Sequence, residues 1–349
     1  MAPAAFSLFM QEVDPFGLFT TPAPRPSVRT YIKHLAFLLI TFVTATIAGT
    51  LYPFGPLITF PEADPQTWQE LFGFLANLPV IYALLIGEIV TKLFAEPAYL
   101  IYGLSFSLSL LFILISHEMG HYIACRIYKV DATLPYFIPV PPMIGPAGTF
   151  GAFIKILSPM PSRKAVFDIG VAGPVAGFVA LIPIAIVGVA TMKTVSPEQI
   201  AAAGEGVLIF TDPLFMRSLA GLFGIDIAYG IGNPFYFAAW VGLLVTALNL
   251  IPSGQLDGGH ALYAVWGERV HFWSGRIAFV MMAALSIVGF VYFNSPSGFL
   301  IAVLLGIMMR IRHPVPWDQT PLDRKRIAIA VLCLLIFILC FVPFPIQIT

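Results

Sequence analysis

The chain has 349 residues, of which 58% are apolar and 10% charged; its mean hydropathy is +0.90 and its formal net charge is zero. An ordinary soluble domain carries about 25% charged residues. So few charges cannot cover so much apolar surface in water, which excludes a soluble enzyme, a nucleic-acid binder and a disordered chain, and leaves an all-α polytopic membrane protein in a lipid bilayer.

Residues 1–33 are rich in proline (Pro3, Pro15, Pro22, Pro24, Pro26) and read as a flexible cytoplasmic tail. With no Lys or Arg among the first 24 residues, nothing there reads as the n-region of a cleaved signal peptide. Residues 34–51 form the first predicted span. Residues 52–99 place Glu62, Asp64, Glu70, Glu88, Lys92 and Glu96 around an apolar stretch at 71–87. That stretch reads as a span, a re-entrant piece or an interfacial helix. A strong span follows at 100–127. Residues 132–157 are apolar but broken by Pro135, Pro139, Pro141, Pro142 and Pro146 and by Gly145, Gly148 and Gly151. Such backbone survives at membrane depth only inside protein or beside a water-filled cavity.

The next span, 166–191, carries Gly170, Gly173 and Gly177, a small-residue face that lets another helix approach closely. Residues 194–232 read as a loop with a short amphipathic stretch. Spans at 234–252, 277–294, 297–311 and 327–343 complete a set of seven transmembrane helices. Cys125, Cys333 and Cys340 all lie in apolar runs and read as packing residues.

Orientation follows from basic residues in short loops. With the tail in the cytoplasm and 52–99 treated as one outer segment, only Lys92, Lys193 and Arg217 of the 18 Lys and Arg residues fall outside. A full span at 71–95 would turn the tail outward and weaken the bias to 12 against 6.

The chemistry is concentrated in Ser116-His117-Glu118-Met119-Gly120-His121, near the cytoplasmic end of the 100–127 span. His117 and His121 are four apart and share a helical face, where two imidazoles can bind one zinc ion. Glu118 beside them can take a proton from an activated water. Three ionisable groups in five residues of an apolar span are costly unless they serve a site; the competing explanation is a polar cluster that pins helices together. A catalytic zinc takes three protein ligands and keeps one position open. The third candidate is Asp257, in Asn249-Leu250-Ile251-Pro252-Ser253-Gly254-Gln255-Leu256-Asp257-Gly258-Gly259-His260. Its two following glycines are expected to let the backbone turn sharply beside a ligand.

Together, HEMGH at 117–121 and NLIPSGQLDG at 249–258 resemble the paired motifs of the site-2 protease family of intramembrane zinc metalloproteases. LPYFIPVP, the run from Gly148 to Phe178 and the segment Arg312-His313-Pro314-Val315-Pro316-Trp317-Asp318 resemble the branch of the plant chloroplast site-2-like proteases. The resemblance covers roughly 100–320. It implies zinc ligands at His117, His121 and Asp257, a general base at Glu118, and a substrate or oxyanion contact at Asn249. It also implies a membrane-embedded β-loop over 134–156, between the HEMGH helix and the next. Thr149 to Phe153, with Thr149 and Gly151 as contacts, would bind a substrate strand by edge addition. The implied division is a metalloprotease core at 100–260, preceded by the tail (1–33) and an outer segment with its span (34–99), and followed by C-terminal helices (261–349). The implied substrates are single-span membrane proteins, cut near the cytoplasmic side of a bacterial inner membrane or a chloroplast-type membrane. A zinc-site transporter and an inactive scaffold are the competing functions. The inverted repeats and paired broken helices of transporters are not visible in the sequence, and an intact Glu118 argues against a scaffold. His260 reads as a neighbour of the site or a structural residue, and 313–318 has no evident physical role.

Overall fold

The computed structural model describes residues 26–51, 53–57, 67–142, 146–196, 198, 208–311 and 313–348. Most of the expected tail lies outside them, as do Glu62, Asp64, Gly145, Arg25 and Arg312. Helix α1 (Val28–Thr50) starts six residues before the predicted span, because Ser27 caps it by accepting a hydrogen bond from the Thr30 N–H.

Helices α2 (Trp68–Ala95) and α3 (Pro97–Ile127) meet at Glu96, and the proline at the first position of α3 suits a helix start. Next come the strands β1 (Tyr136–Pro139) and β2 (Thr149–Phe153), then α4 (Arg163–Ala190), capped by Ser162. Within the expected loop lie two short strands, β3 (Lys193–Thr194) and β4 (Leu208–Phe210), and the nine-residue helix α5 (Leu214–Leu222). After β5 (Gly230–Ile231) come α6 (Pro234–Leu250), α7 (Asp257–Trp266), α8 (Glu268–Phe293), α9 (Ser297–Met308) and α10 (Arg324–Cys340), and β6 (Ile346–Ile348) closes the described chain. The division expected at residue 260 therefore falls inside α7.

Five of these helices, α1, α2, α3, α4 and α8, are long and apolar enough to cross a membrane. Two of the predicted spans, 234–252 and 297–311, hold helices shorter than expected, and the helix of the third, 327–343, keeps its length but begins and ends three residues earlier. The 234–252, 297–311 and 327–343 stretches contain helices of 17, 12 and 17 residues. At 1.5 Å per residue these reach roughly 25, 18 and 25 Å, against about 30 Å of hydrocarbon. The helix at 234–250 stops early because Pro252 and the Ser253–Leu256 turn redirect the chain toward Asp257.

Helix α2 supplies the fifth candidate, where the sequence left the choice open. Its context is set by α1 and α3. Thr46 Oγ1 lies 2.8 Å from Ser107 Oγ, and Gly103 lies against Thr46 and Thr50. Thus 46 faces 107 and 50 faces 103, so α1 and α3 are antiparallel. Residues 51 and 97 therefore lie at the same end of the bundle. A single crossing by α2 would have to be undone within 51–67.

Helices α3, α4 and α6 pack against one another to form the core, in which Phe106, Leu110, Phe167, Leu181, Trp240 and Leu243 are fully buried. At the end where α3 terminates, Arg326 of α10 makes two hydrogen bonds to the Asp168 carboxylate, at 2.6 and 2.9 Å, and Tyr128 donates to the same group. This bidentate pair ties α3, α4 and α10 together. The three cysteines are free and buried, as expected of packing residues.

β1 and β2 form an antiparallel hairpin, with Tyr136 opposite Phe153 and Phe137 opposite Ala152. It lies against α1: the Thr44 hydroxyl donates to the Gly148 carbonyl at 2.7 Å, and His34 Nδ1 donates to the Pro135 carbonyl at 2.9 Å. The proline-broken segment is thus a hairpin held by helices and not a span.

Candidate metal centre

His117 and His121 lie one turn apart on α3, both buried. Asp257, the first residue of α7, reaches them from the other side of the core. The two Nε2 atoms are 3.1 Å apart. Asp257 Oδ2 is 3.3 Å from His117 Nε2, and Oδ1 is 3.3 Å from His121 Nε2. Ligands about 2.0–2.1 Å from a tetrahedral ion lie about 3.3 Å from one another, so this triangle has the size of one face of a zinc coordination shell. The Ile169 carbonyl can only accept, so His121 Nδ1, 2.6 Å away, carries the proton and Nε2 presents a lone pair. Electron-rich atoms converging this closely repel one another unless a cation sits among them. Two imidazoles and a carboxylate are a donor set that zinc accepts. Among the described residues, these three side chains form the group close enough to hold a metal ion.

Close approach of α4 makes the triangle possible. A Cβ on Gly173 would lie 2.0 Å from His121 Nε2, and one on Gly177 would lie 3.1 Å from the His117 Cβ. On α3, a Cβ at Gly120 would lie 2.4 Å from the Ala172 carbonyl oxygen. The glycine face read as a packing surface is also the seat of both imidazoles.

Glu118 is buried beside the triangle and is offered the backbone N–H of Ile154. These groups line a cavity of about 570 Å³, together with Asn249 and the extended segment Ala152–Ile156. Lys155 and Leu157 use their backbone groups on Asp131 and Thr133. By alternation, Ile154 and Ile156 face the opposite edge, the one toward Glu118. A buried carboxylate beside a three-ligand triangle and an extended strand edge can take up a proton next to an extended peptide.

The profile of peptidase family M50 matches residues 105–291, more than half of the chain and all of this constellation. The chain belongs to peptidase family M50. This is the site-2 protease family that the two motifs resemble. Its curated relatives include "Probable zinc metalloprotease EGY1, chloroplastic" of Oryza sativa subsp. japonica, 30% identical over 80% of this chain and 44% of the relative. "Probable zinc metalloprotease EGY2, chloroplastic" of Oryza sativa subsp. indica is 28% identical over 66% of this chain and 40% of the relative. The protein of that name from Arabidopsis thaliana is 27% identical over 79% of this chain and 47% of its own. The chain thus spans less than half the length of these relatives.

The remaining residues expected at an M50 site divide into two groups. Asn249 Nδ2 lies 3.3 Å from His117 Nε2 and lines the cavity. Thr149 and Gly151 do not line it. The Thr149 hydroxyl donates to the Ile138 carbonyl at 3.0 Å and accepts from the Gly151 N–H at 3.0 Å, which stabilises the hairpin around a Gly151 φ of +96°. The cavity takes its strand from 152–156 instead. The sequence could not show this, because which edge faces the cavity depends on the register with 131–137.

The two glycines after Asp257 also act differently from the expectation. Both are helical, in the first turn of α7. A Cβ on Gly258 would lie 2.0 Å from the Leu250 carbonyl oxygen and one on Gly259 2.5 Å from that of Gly254. The sharp turn is instead at Gly254, where φ is +55°.

Proposed function

We propose that this chain is an intramembrane zinc metalloprotease that hydrolyses peptide bonds within transmembrane segments of single-span membrane proteins. The supporting observation is the His117–His121–Asp257 triangle, with Glu118 next to it and an extended strand edge across the same cavity. His117, His121 and Asp257 would hold the zinc. Its chemistry, when bound, is Lewis-acid polarisation of the scissile carbonyl and acidification of water. Glu118 accepts the proton from water and delivers it to the leaving amine. Its burial keeps bulk water away from that transfer, and its place one residue after His117 keeps it out of the ligand triangle. Asn249 orients the substrate main chain from the end of α6.

A transmembrane helix hides its peptide bonds in its own hydrogen bonds, so it must unwind before it is cut. Apart from the Ile154 N–H that Glu118 accepts, the backbone groups of Ile154 and Ile156 on this edge offer replacement partners, and a substrate strand added there would run past Glu118. This moves the expected contact a few residues beyond Thr149 and Gly151. On this reading the β1–β2 hairpin is embedded in the membrane. The bias of basic residues supports a site near the cytoplasmic side of a bacterial inner membrane or a chloroplast-type membrane.

Glu118→Gln separates base from ligand, because an amide has the size of the carboxylate but cannot accept a proton at neutral pH. The variant is expected to keep about one zinc per chain and to bind a transmembrane substrate, while cleavage falls at least about a hundredfold. Metal content by atomic absorption and cleavage of a model substrate check both halves. Near-normal cleavage would remove Glu118 from the mechanism, and loss of zinc would make it part of the metal site.

A further inference from the structure

The segment 313–318, which resembles part of a chloroplast-type protease but has no role in the reading above, forms a strap beside the cavity. Its far end is pinned by backbone pairing with the start of α4. Trp317 N donates to the Met160 carbonyl, Asp318 N to that of Pro161, and Arg163 N to that of Asp318, at 3.3, 3.1 and 2.9 Å. Its near end is pinned by His313, whose ring stacks on Tyr263 of α7 with centroids 4.0 Å apart and planes 10° from parallel. Pro314 lines the cavity wall.

The hydrogen bonds of His313 have only one consistent direction. Its Nδ1 is 2.8 Å from the Pro314 carbonyl oxygen, which can only accept, so Nδ1 carries the proton. Burial holds the His313 imidazole below the ordinary range, so its ring is neutral at pH 7, and among the described residues no acceptor faces His260 Nε2, so the His260 ring keeps its one proton on Nδ1. His313 Nε2 is therefore an acceptor. His260 Nδ1 lies 2.7 Å from it and must donate. That leaves His260 Nε2 as a bare lone pair. It has no hydrogen-bond partner among the described residues, and it is not one of the sealed, unpaired polar atoms, which are His34 Nε2, Thr41 Oγ1 and Ser253 Oγ. The ring lines the cavity, so Nε2 opens into it. It is not one of the atoms close enough to share a metal ion with the triangle.

We infer that His260 is a substrate-binding residue whose Nε2 accepts a main-chain N–H from the extended peptide, and that His313 is the positioning residue that presets this acceptor. The inference rests on the protease reading. An extended strand carries N–H groups on both edges. Those on one edge meet the hairpin; His260 offers an acceptor on the wall formed by α7. The strap thus gives the cavity a second point of main-chain recognition, independent of substrate side chains.

The test uses the zinc-loaded full chain carrying Glu118→Gln, titrated with a fluorescent peptide of a single-span membrane segment in detergent micelles. Adding His260→Ala is expected to weaken binding about tenfold, the scale of one lost hydrogen bond, with zinc content unchanged. His313→Phe keeps the stack on Tyr263 but removes the acceptor, and should weaken binding to the same degree. His313→Gln restores an acceptor and should recover affinity to within about threefold of the parent. In the active chain, His260→Ala should raise KM with little change in kcat. Side-chain nitrogen NMR should show His260 protonated on Nδ1 in the parent and a mixture of tautomers in His313→Phe. Parent-like affinity in both His260→Ala and His313→Phe would overturn the inference. So would loss of zinc from His260→Ala, or an Nε2-protonated His260 in the parent. If the parent captures no peptide while its NMR tautomer is as expected, it is the protease reading that fails, and the substrate role of His260 falls with it.

Discussion

Helices α2 and α4 are equally long and similarly apolar, with mean hydropathies of 1.8 and 2.2 over an 18-residue apolar stretch of each, yet 6% of that stretch in the first and 50% in the second is buried in the protein. The same contrast holds between α8 and α3, at 2.0 and 2.1, with 17% and 44% buried. Hydropathy places a helix in lipid but gives no preference between lipid and protein, since hydrocarbon tails are as apolar as leucine. The difference lies in small and polar residues. On α3 and α4, Gly120, Gly170, Gly173 and Gly177 all lie where a Cβ would crowd a neighbour, whereas Gly73 and Gly87 of α2 have nothing within 4 Å. The buried pair carries His117 and His121 between its helices; α2 keeps its charged residues near its ends.

That contrast can be tested glycine by glycine. The largest effect is expected at Gly173. In Gly173→Ala the new methyl would lie 2.0 Å from His121 Nε2, so the imidazole must move out of the triangle. Zinc content should fall below half and cleavage by at least about a hundredfold, because one of three ligands is displaced. Retention of full zinc would mean that α4 can retreat at little cost, and that the glycine face is not the seat of the histidines.

At Gly120 the conflict is with the Ala172 backbone and not with a ligand. Gly120→Ala should force α3 and α4 apart and lower stability by about 1–3 kcal/mol, the usual cost of overpacking. A thermal unfolding series in detergent would read this as a drop in Tm. Activity should fall less than for Gly173→Ala. An unchanged Tm would show that the close approach is not under tension. The smallest effect is expected on α2. Gly87→Ala meets open space, and should change stability by no more than about 1 kcal/mol, in the stabilising direction if at all. A clear loss at Gly87 would mean that a partner packs on α2.

Much of the site was legible in the sequence. His117 and His121 share a face because of helical periodicity, a purely local rule, and the cost of ionisable groups in an apolar span marked the cluster as a candidate site. Asp257 was legible only through its motif, since 136 residues separate it from His121 and no local pattern spans that distance. Thr149 and Gly151 do not line the cavity whereas 152–156 do, which the sequence could not show because β-strand alternation assigns faces only once the register is known. His260 and His313 carried no signal of partnership: 53 residues apart, they meet through the packing of α7 against a strap anchored at the start of α4.

Composition and local periodicity by themselves determined that this chain lives in a membrane, that its 132–157 segment cannot be a spanning helix, and that HEMGH presents two imidazoles and a carboxylate together. These follow from burial energetics and backbone geometry over a few residues. Tertiary structure decided which apolar helices are buried, which strand edge faces the cavity, and which carboxylate completes the triangle. Each depends on how closely two distant backbones approach, and that distance is set by packing at glycines and by hydrogen bonds between segments remote in sequence.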